Sequence, residues 1–274
     1  MFKCRECLYF FLGVDERDAQ QATFIPTKDG KVNEAKLTAL KKKYPKDGHG
    51  KRGLYERYAK RYHDLFGNDV RALDIGASGG FFLHELEKLG ASPAHVRALE
   101  IEPDYKQLTY DYFGYESDLD NIEEYRPIDP ATGSTQTYHV IGLFDVLEHV
   151  HHFDTALARI ADMLELGGRV VFKLPARRWA YAKYRVMRAL GADDKIPVVL
   201  YIEPGGHLNY WDTDNIKRLE AIEPRLKLVE THYLKPTWEQ FGARGWWRYL
   251  LYGANQILPI RLFPEFVAEF EKKR

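Results

Sequence analysis

The sequence is poor in cysteine: Cys4 and Cys7 are the only two among 274 residues. They form a single Cys-x-x-Cys, without the second pair or the nearby His-x-His that a tetrahedral zinc site needs. A redox pair and half of a shared metal site stay open as alternatives. We interpret the two residues as ordinary reduced thiols of a cytoplasmic protein, and we predict no metal site.

The sequence also lacks an excess of either charge and a long hydrophobic run. Lysine plus arginine and aspartate plus glutamate number 40 each, so no global field favours nucleic acid or an acidic membrane. No apolar run approaches the roughly 20 residues that span a bilayer, and LYFFL near the N-terminus is too short for a signal peptide. No basic stripe with interleaved aromatics is present. We therefore expect no nucleic-acid partner and no stable membrane insertion.

The composition is that of a folded domain, since hydrophobic residues make up 45% and can form a core. The length suits one α/β domain with insertions. Residues 1–53 show no sustained periodicity after Leu40 and are predicted to be an N-terminal extension. A helix at 54–66, with Leu54, Tyr58, Tyr62 and Leu65 on one face, then leads into a main domain at 54–274.

Strands and helices alternate along the main domain. Apolar runs predict strands at 70–75, near 115, and at 96–101, 138–144, 169–174, 226–234 and 266–273. Helical spacing predicts helices at 81–89, 103–113, 154–166, 177–190 and 213–222. This order predicts right-handed βαβ crossovers and a mostly parallel sheet of seven strands covered by helices on both faces, with residues 176–211 inserted as a lid after the fifth strand.

The first strand–turn–helix reads LDIGASGG, and open α/β sheets bind ligands at such an edge. The glycines of this loop allow close approach of a ligand to the backbone, although a tight turn alone would also need them. Asp74 lies two residues before Gly76, where a carboxylate can orient an ammonium group. Glu100 ends the next strand and can accept two adjacent ribose hydroxyls.

A nicotinamide-dependent oxidoreductase or epimerase is the alternative within the same fold class. Glu100 does not separate the two, because dinucleotide-binding folds place an acid at the same position. The loop, however, does not fit G-x-G-x-x-G, since Ser78 and Phe81 occupy two of the positions. The chain also lacks a recognisable Tyr-x-x-x-Lys after a strand, so this alternative is disfavoured.

Three segments together carry a resemblance to a known family. They are LDIGASGGFFLHELEKLG, LEIEPDY and FDVLEHVHHFDTALARIADMLELGGRVVFKLP. They resemble the cofactor half of Rossmann-like (class I) S-adenosylmethionine-dependent methyltransferases, especially the branch of ubiquinone-biosynthesis O-methyltransferases. The resemblance covers roughly residues 54–206. It implies a Rossmann-like three-layer sandwich and S-adenosyl-L-methionine as the cofactor.

The resemblance also assigns a place to individual residues. It implies that the glycine loop lines the methionine part of the cofactor, through Gly76, Ala77, Ser78 and Gly79. It puts Glu100 and Ile101 at the ribose and adenine, and Asp118 and Leu119 at the adenine amino group. Phe144 and Asp145 would close over the sulfonium, with His149 just behind. The sequence departs from the family at His139, where relatives often carry aspartate, and in the long loop before it.

Methyl transfer to a hydroxyl needs a positioned acceptor and a base, and histidine is the natural base near neutral pH. We predict His149 first and His207 second as catalytic residues, and His151 as a substrate contact; a structural histidine is the alternative for each. Arg177 and Arg178, at the start of the lid helix, are predicted to select a phosphate- or carboxylate-bearing acceptor. An ordinary amphipathic surface helix is the alternative there.

The sequence therefore predicts an S-adenosylmethionine-dependent methyltransferase that acts on a hydroxyl, or less readily on a nitrogen or carbon, of a small molecule or glycan precursor. A cofactor-binding protein that has lost catalysis is the alternative from another functional class. A homodimer is left open. Fold alone does not identify the acceptor.

Overall fold

The computed structural model describes residues 2–3, 10–11, 31–46, 50–129, 131–189, 207–235, 249–250, 252–254 and 263–273. The Cys-x-x-Cys cysteines and the middle of the lid, 190–206, lie outside the described residues. None of the helices in these ranges is both long enough and apolar enough to cross a membrane.

Two sheets contain the ten described strands. The strands are β1 Phe2–Lys3, β2 Phe10–Phe11, β3 Ala72–Ile75, β4 Val96–Glu100, β5 Ser117–Leu119, β6 Tyr138–Phe144, β7 Leu164–Pro175, β8 Asn209–Tyr210, β9 Leu226–Tyr233 and β10 Glu265–Lys272. The main sheet has the order β5-β4-β3-β6-β7-β10-β9, and β10 runs antiparallel to both of its neighbours. The predicted mostly parallel, seven-stranded sheet is confirmed.

Helices cover both faces of the main sheet. They are α1 Glu34–Lys43, α2 Arg52–Phe66, α3 Phe81–Lys88, α4 Pro103–Phe113, α5 Phe153–Met163, α6 Arg177–Ala189 and α7 Leu219–Ile222. Side chains alternate across a strand, so Ile141 and Leu143 of β6 join the core under α5, whereas Val140 joins the core under α2 and α3. The three-layer sandwich follows from this alternation.

Strand order reverses between β3 and β6. The two strands are parallel neighbours in the sheet, and β4 lies on the other side of β3. The connections leaving β3 and β6 therefore diverge to opposite sides and open a crevice at the carboxyl edge. The glycine loop after β3 and the segment after β6 meet at this crevice.

Three differences from the predicted elements involve helices. The helix predicted at 154–166 ends at Met163, because β7 already begins at Leu164; Gly167, with φ +78°, lies where the β6–β7 register shifts and does not end the helix. The helix predicted at 213–222 consists only of a 3₁₀ turn, Ile216–Arg218, and the short α7.

The third difference is α1, a helix in the predicted extension that sequence periodicity did not reveal. Its only buried residues are Leu37 and Leu40, which pack with Leu108 of α4. The Asn33 side chain caps the helix by accepting a hydrogen bond from the Lys36 amide at 3.1 Å. Two buried leucines one turn apart and an N-terminal cap hold this helix in place, so its sequence shows no long apolar stripe.

Candidate functional site

The loop after β3 is built on glycine for steric reasons. Gly76 has φ +67°, and a Cβ there would lie 2.4 Å from Cγ2 of Val146, which follows β6. A Cβ at Gly79 would lie 2.4 Å from the Phe81 ring. Larger residues at either position would have to displace a packed side chain. These contacts and the positive φ fit the tight-turn alternative, and close approach of a ligand to the loop stays a prediction.

Ser78, in the centre of the loop, also has left-handed backbone geometry, with φ +57°. Its amide donates a hydrogen bond to Oε1 of Glu100 at the end of β4, so the loop and the neighbouring strand tip are joined. The Ser78 hydroxyl is buried and has no hydrogen-bond partner among the described residues. An unsatisfied buried hydroxyl is costly, and a polar ligand in the loop would satisfy it.

Two carboxylates lie at the tips of the adjacent strands β3 and β4. Asp74 and Glu100 are only 2% and 5% exposed. Burial raises the pKa of Glu100 to about 8, although the Ser78 amide acts in the opposite direction. Burial, together with the charge of Glu100, also raises the pKa of Asp74. Gly142 of β6 makes room for Asp74: a Cβ on that glycine would lie 3.3 Å from the Asp74 Oδ1.

The predicted adenine contacts lie along the same edge. Ile101 follows β4 and is half-buried, and Leu119 ends β5 with its side chain exposed. Asp118 in β5 accepts a hydrogen bond from the Tyr125 hydroxyl and lies 3.8 Å from Nη1 of Arg97. The Asp118 carboxylate is therefore already engaged within the protein.

Asp145, directly after β6, is held in an unusual conformation between two lysines. Its φ is +63°, and its carboxylate binds the ammonium groups of Lys51 and Lys173. Burial alone would raise the pKa of Asp145, yet the charges of Lys173 and Lys51 hold it below its ordinary value. Lys173 also lies 2.8 Å from Oε1 of Glu265. The two lysines, Lys51 and Lys173, and the two carboxylates, Asp145 and Glu265, therefore balance to zero net charge.

The two predicted catalytic histidines come together around a residue that the sequence interpretation did not consider. Glu148, His149 and His207 each offer a ligand atom, and the three atoms lie within 4.8 Å of one another. The rings of His149 and His207 are 4.7 Å apart, edge to face. Glu148 is fully buried, and burial followed by the charge of Asp145 raises its pKa. The only sequence signal that could have pointed to Glu148 is its position next to His149 in the segment LEHV.

Backbone contacts bring His207 to this cluster from far along the chain. The Leu208 amide donates to the Glu148 carbonyl at 2.7 Å, and the fully buried Asn209 side chain donates to the Val150 carbonyl at 2.6 Å. Since Asn209 belongs to β8, the short sheet β1-β2-β8 supports the same segment. The Glu148–His149–His207 group is called the His/Glu cluster below.

The remaining predicted substrate residues lie outside the cluster. The ring of His151 packs against His152 at 4.5 Å, and its amide donates to Glu123 at 3.1 Å. Arg177 and Arg178 lie next to each other as expected, but both guanidinium groups bind Asp214, at 3.4 and 2.7 Å. One carboxylate thus offsets one of the two positive charges.

Sequence comparison finds curated relatives of one kind. Residues of this chain are 29% identical over 132 residues to the ubiquinone biosynthesis O-methyltransferase of Bradyrhizobium diazoefficiens, covering 46% of this chain and 47% of the relative. The protein of the same name from Nitrosococcus oceani is 30% identical over 115 residues, covering 42% and 47%. The chain spans about half the length of the curated relatives it matches.

Solved structures share the fold. The plantazolicin methyltransferase BpumL in complex with SAH has a TM-score of 0.57 at 14% identity, covering 95% of this chain and 96% of the other. Magnesium protoporphyrin IX methyltransferase (ChlM) from Synechocystis PCC 6803 with bound SAH has a TM-score of 0.51 at 12% identity, covering 81% and 84%. At these identities the likeness shows the fold alone.

A family model also matches the chain. The model described as a methyltransferase domain matches residues 48–220, which is more than half of the chain and includes the glycine loop, both strand-tip acids and the His/Glu cluster. The resemblance inferred from the sequence motifs is thereby confirmed. The chain belongs to the methyltransferase domain family.

Proposed function

We propose that this protein is an S-adenosylmethionine-dependent methyltransferase. The observation that carries the proposal is the crevice between β3 and β6, where a glycine loop with an unsatisfied serine hydroxyl lies between two buried carboxyls. An amino acid joined to a nucleoside needs such a set: a carboxylate for the ammonium group, backbone amides, and a carboxylate for the ribose hydroxyls. The solved neighbours BpumL and ChlM hold SAH within the same fold.

Each predicted cofactor residue has a proposed role. Asp74 binds the ammonium group, and Glu100 accepts the ribose hydroxyls once its bond to the Ser78 amide opens. The other proposed contacts are Gly76, Ala77, Ser78 and Gly79 for the methionine part, Ile101, Asp118 and Leu119 for the adenine, and Phe144 and Asp145 beside the sulfonium. The bound cofactor supplies an electrophilic methyl group, and the protein positions the acceptor and excludes water.

The acceptor atom we propose is a hydroxyl oxygen of a small molecule or glycan precursor. The names of the curated relatives, ubiquinone biosynthesis O-methyltransferases, support oxygen over nitrogen or carbon. His149 and His207 lie at the carboxyl edge of β6, beside the crevice, where a base for the hydroxyl proton is needed. His151 is proposed as an outer substrate contact.

We retain an anionic acceptor as part of the proposal, with Arg178 as the more accessible cation. Arg177 is 8% exposed, and Arg178 is half-buried. Arg178→Glu should raise the KM of an anionic acceptor at least about tenfold, because it reverses a charge that a ligand carboxylate or phosphate would meet. The matched control is Arg218→Glu, an arginine outside the lid helix. An unchanged KM for every anionic acceptor would remove the anionic class from the proposal.

Calorimetry tests the proposal and separates it from its alternatives. We expect S-adenosylhomocysteine to bind with one site per chain and NAD to give no heat. Binding of NAD alone would favour the oxidoreductase or epimerase, and S-adenosylhomocysteine binding without turnover on a broad acceptor panel would favour a non-catalytic cofactor-binding protein. Absence of heat and of a melting shift with S-adenosylhomocysteine would refute the proposal. A cytoplasmic location and a homodimer stay predictions.

A further inference from the structure

We propose that the His/Glu cluster binds one divalent transition-metal ion, and that this ion holds an oxygen of the acceptor. The inference rests on the proposed function, because it assigns the cluster a part in the same reaction. Two imidazoles and one carboxylate form the donor set of open catalytic zinc sites and of other divalent transition metals. The all-oxygen cages preferred by Ca²⁺ and the phosphate- and water-rich sites of Mg²⁺ differ from this set.

The buried carboxylate of Glu148 is the observation that requires a ligand. Glu148 is fully buried, and neither of its carboxylate oxygens has a hydrogen-bond partner among the residues that the structure describes. Nε2 of His207 lies 3.8 Å from its Oε1. That separation is too long for a hydrogen bond. A buried carboxylate with two unsatisfied oxygens is costly, and a cation between the two residues would satisfy it.

The geometry is close to that of a coordinated ion. Two ligand atoms bound at about 2.0–2.1 Å to one tetrahedral zinc lie about 3.4 Å apart. The observed 3.8 Å between Glu148 and His207 is near this value, and the third ligand atom is within 4.8 Å of both. Side-chain rotation would have to bring the third atom closer for all three to bind one ion. Three protein ligands leave a position open for an acceptor oxygen.

The surrounding charges permit a cation at this point. Lys51 and Lys173 are paired with Asp145 and Glu265, so these two lysines leave no excess positive charge that would repel a metal ion at the cluster. A hydroxyl bound to a divalent ion would ionise more readily and release its proton to water; with the ion bound, His149 and His207 would act as ligands and not as the base. The ion would therefore bind the acceptor and favour its nucleophilic form. Hydroxyl-bearing acceptors are the substrate class that such a site selects.

The location links the ion to the cofactor crevice. Val146, which fills the space beside Gly76 in the loop, lies two positions before Glu148 in the same short segment. The 3₁₀ turn Leu147–His149 therefore places the cluster next to the methionine end of the proposed cofactor site. An acceptor oxygen held on the ion would lie at the mouth of that crevice.

The test measures binding of zinc and cobalt to chelator-treated protein. The background carries Cys4→Ser and Cys7→Ser, because the Cys-x-x-Cys could bind the same metals independently. We expect one Zn²⁺ per chain by calorimetry, and visible absorption of bound Co²⁺ without thiolate ligation. Glu148→Gln and His207→Ala should each weaken Zn²⁺ binding by at least about 100-fold, since loss of a direct ligand exceeds the 10–100-fold effect of an outer partner. The exposed His152→Ala is the matched control and should bind as the background does.

S-adenosylhomocysteine binding to the same samples separates the two proposals. If the background and both variants bind S-adenosylhomocysteine equally, all are folded, and the metal data decide the inference. No zinc binding by the background, or equal zinc binding by Glu148→Gln, His207→Ala and the background, would overturn the metal site while leaving the methyltransferase intact. If S-adenosylhomocysteine fails to bind while zinc binds, the proposed function fails and the metal site stands.

Discussion

The pKa of Glu100 predicts how cofactor affinity depends on pH. Burial raises this pKa to about 8 in the unliganded protein, so the carboxyl carries a proton at neutral pH. Two ribose hydroxyls donate to the ionised form, so binding must release the proton. The affinity for S-adenosylhomocysteine should therefore rise with pH up to about 8 and level off above it. A raised carboxyl pKa also means that the unliganded protein loses stability as the pH rises from 4.5 to about 8.

The magnitude follows from the ionised fraction. With a pKa near 8, about 1% of Glu100 is ionised at pH 6 and about half at pH 8, which gives a roughly 50-fold increase in affinity. This corresponds to about 2.3 kcal/mol. Asp74, whose pKa is also raised, adds slope of the same sign. The contribution of Glu100 is therefore the difference in slope between the wild type and Glu100→Gln.

Calorimetry between pH 6 and pH 8, repeated in buffers of different ionisation enthalpy, measures both the affinity and the number of protons released. Glu100→Gln should bind less tightly at pH 8, with the slope reduced to the Asp74 contribution. Glu124→Gln, an exposed glutamate away from the crevice, should follow the wild type. Equal slopes for the wild type and Glu100→Gln would show that Glu100 does not titrate on binding and would refute the reasoning.

Further predictions concern the loop, the buried ion pair and the small sheet. Gly76→Ala should lower S-adenosylhomocysteine affinity at least about tenfold, because the added Cβ displaces Val146. The control is Gly114→Ala, which is also left-handed but has open space around it, and which should cost only about 1 kcal/mol of stability without changing the affinity. Similar affinities for the two variants would contradict the steric argument. Lys173→Met should lower the free energy of unfolding by about 3–5 kcal/mol, against at most about 0.5 for Lys60→Met in an exposed pair, as denaturant titration would show. Compared with the Cys4→Ser, Cys7→Ser background, deleting β1 and β2 should weaken zinc binding and spare S-adenosylhomocysteine binding; zinc affinity equal to that of the background would mean that β8 needs no support.

Local patterns were sufficient to predict the sheet and the cofactor edge. The central strands β3, β4, β6 and β7 each contain a short apolar run, and the loop between Asp74 and Phe81 combines glycines with a strand end and a helix start. These signals are contained within about ten residues, so a single sequence reveals them. Helix α1 and the end of α5 were missed because a cap, two leucines and a strand bulge determine them, and none of these produces a long period.

The electrostatics of the site could not be predicted, because they depend on partners distant in sequence. Asp145 was predicted beside the sulfonium, but nothing in its neighbourhood indicates that Lys51 and Lys173 hold it. Asp214 lies well beyond Arg177 and Arg178 in sequence, yet it binds both. Charge counts in a local window therefore overestimated the free positive charge of the lid helix.

The His/Glu cluster shows why two correct residue choices did not predict a metal site. His149 was selected as a candidate base for its place at the ligand edge of the sheet, and His207 was selected separately as the second candidate. Their meeting depends on Asn209, whose side chain bonds to Val150 across 59 positions, and on the β8 strand that contains it. This contact and the hydrogen bond from the Leu208 amide to the Glu148 carbonyl place a second imidazole beside Glu148. A single histidine beside an acceptor can act as a base, whereas two histidines around an unsatisfied buried carboxylate form a set of metal ligands. The chemistry assigned to His149 therefore depends on a contact that its local sequence does not encode.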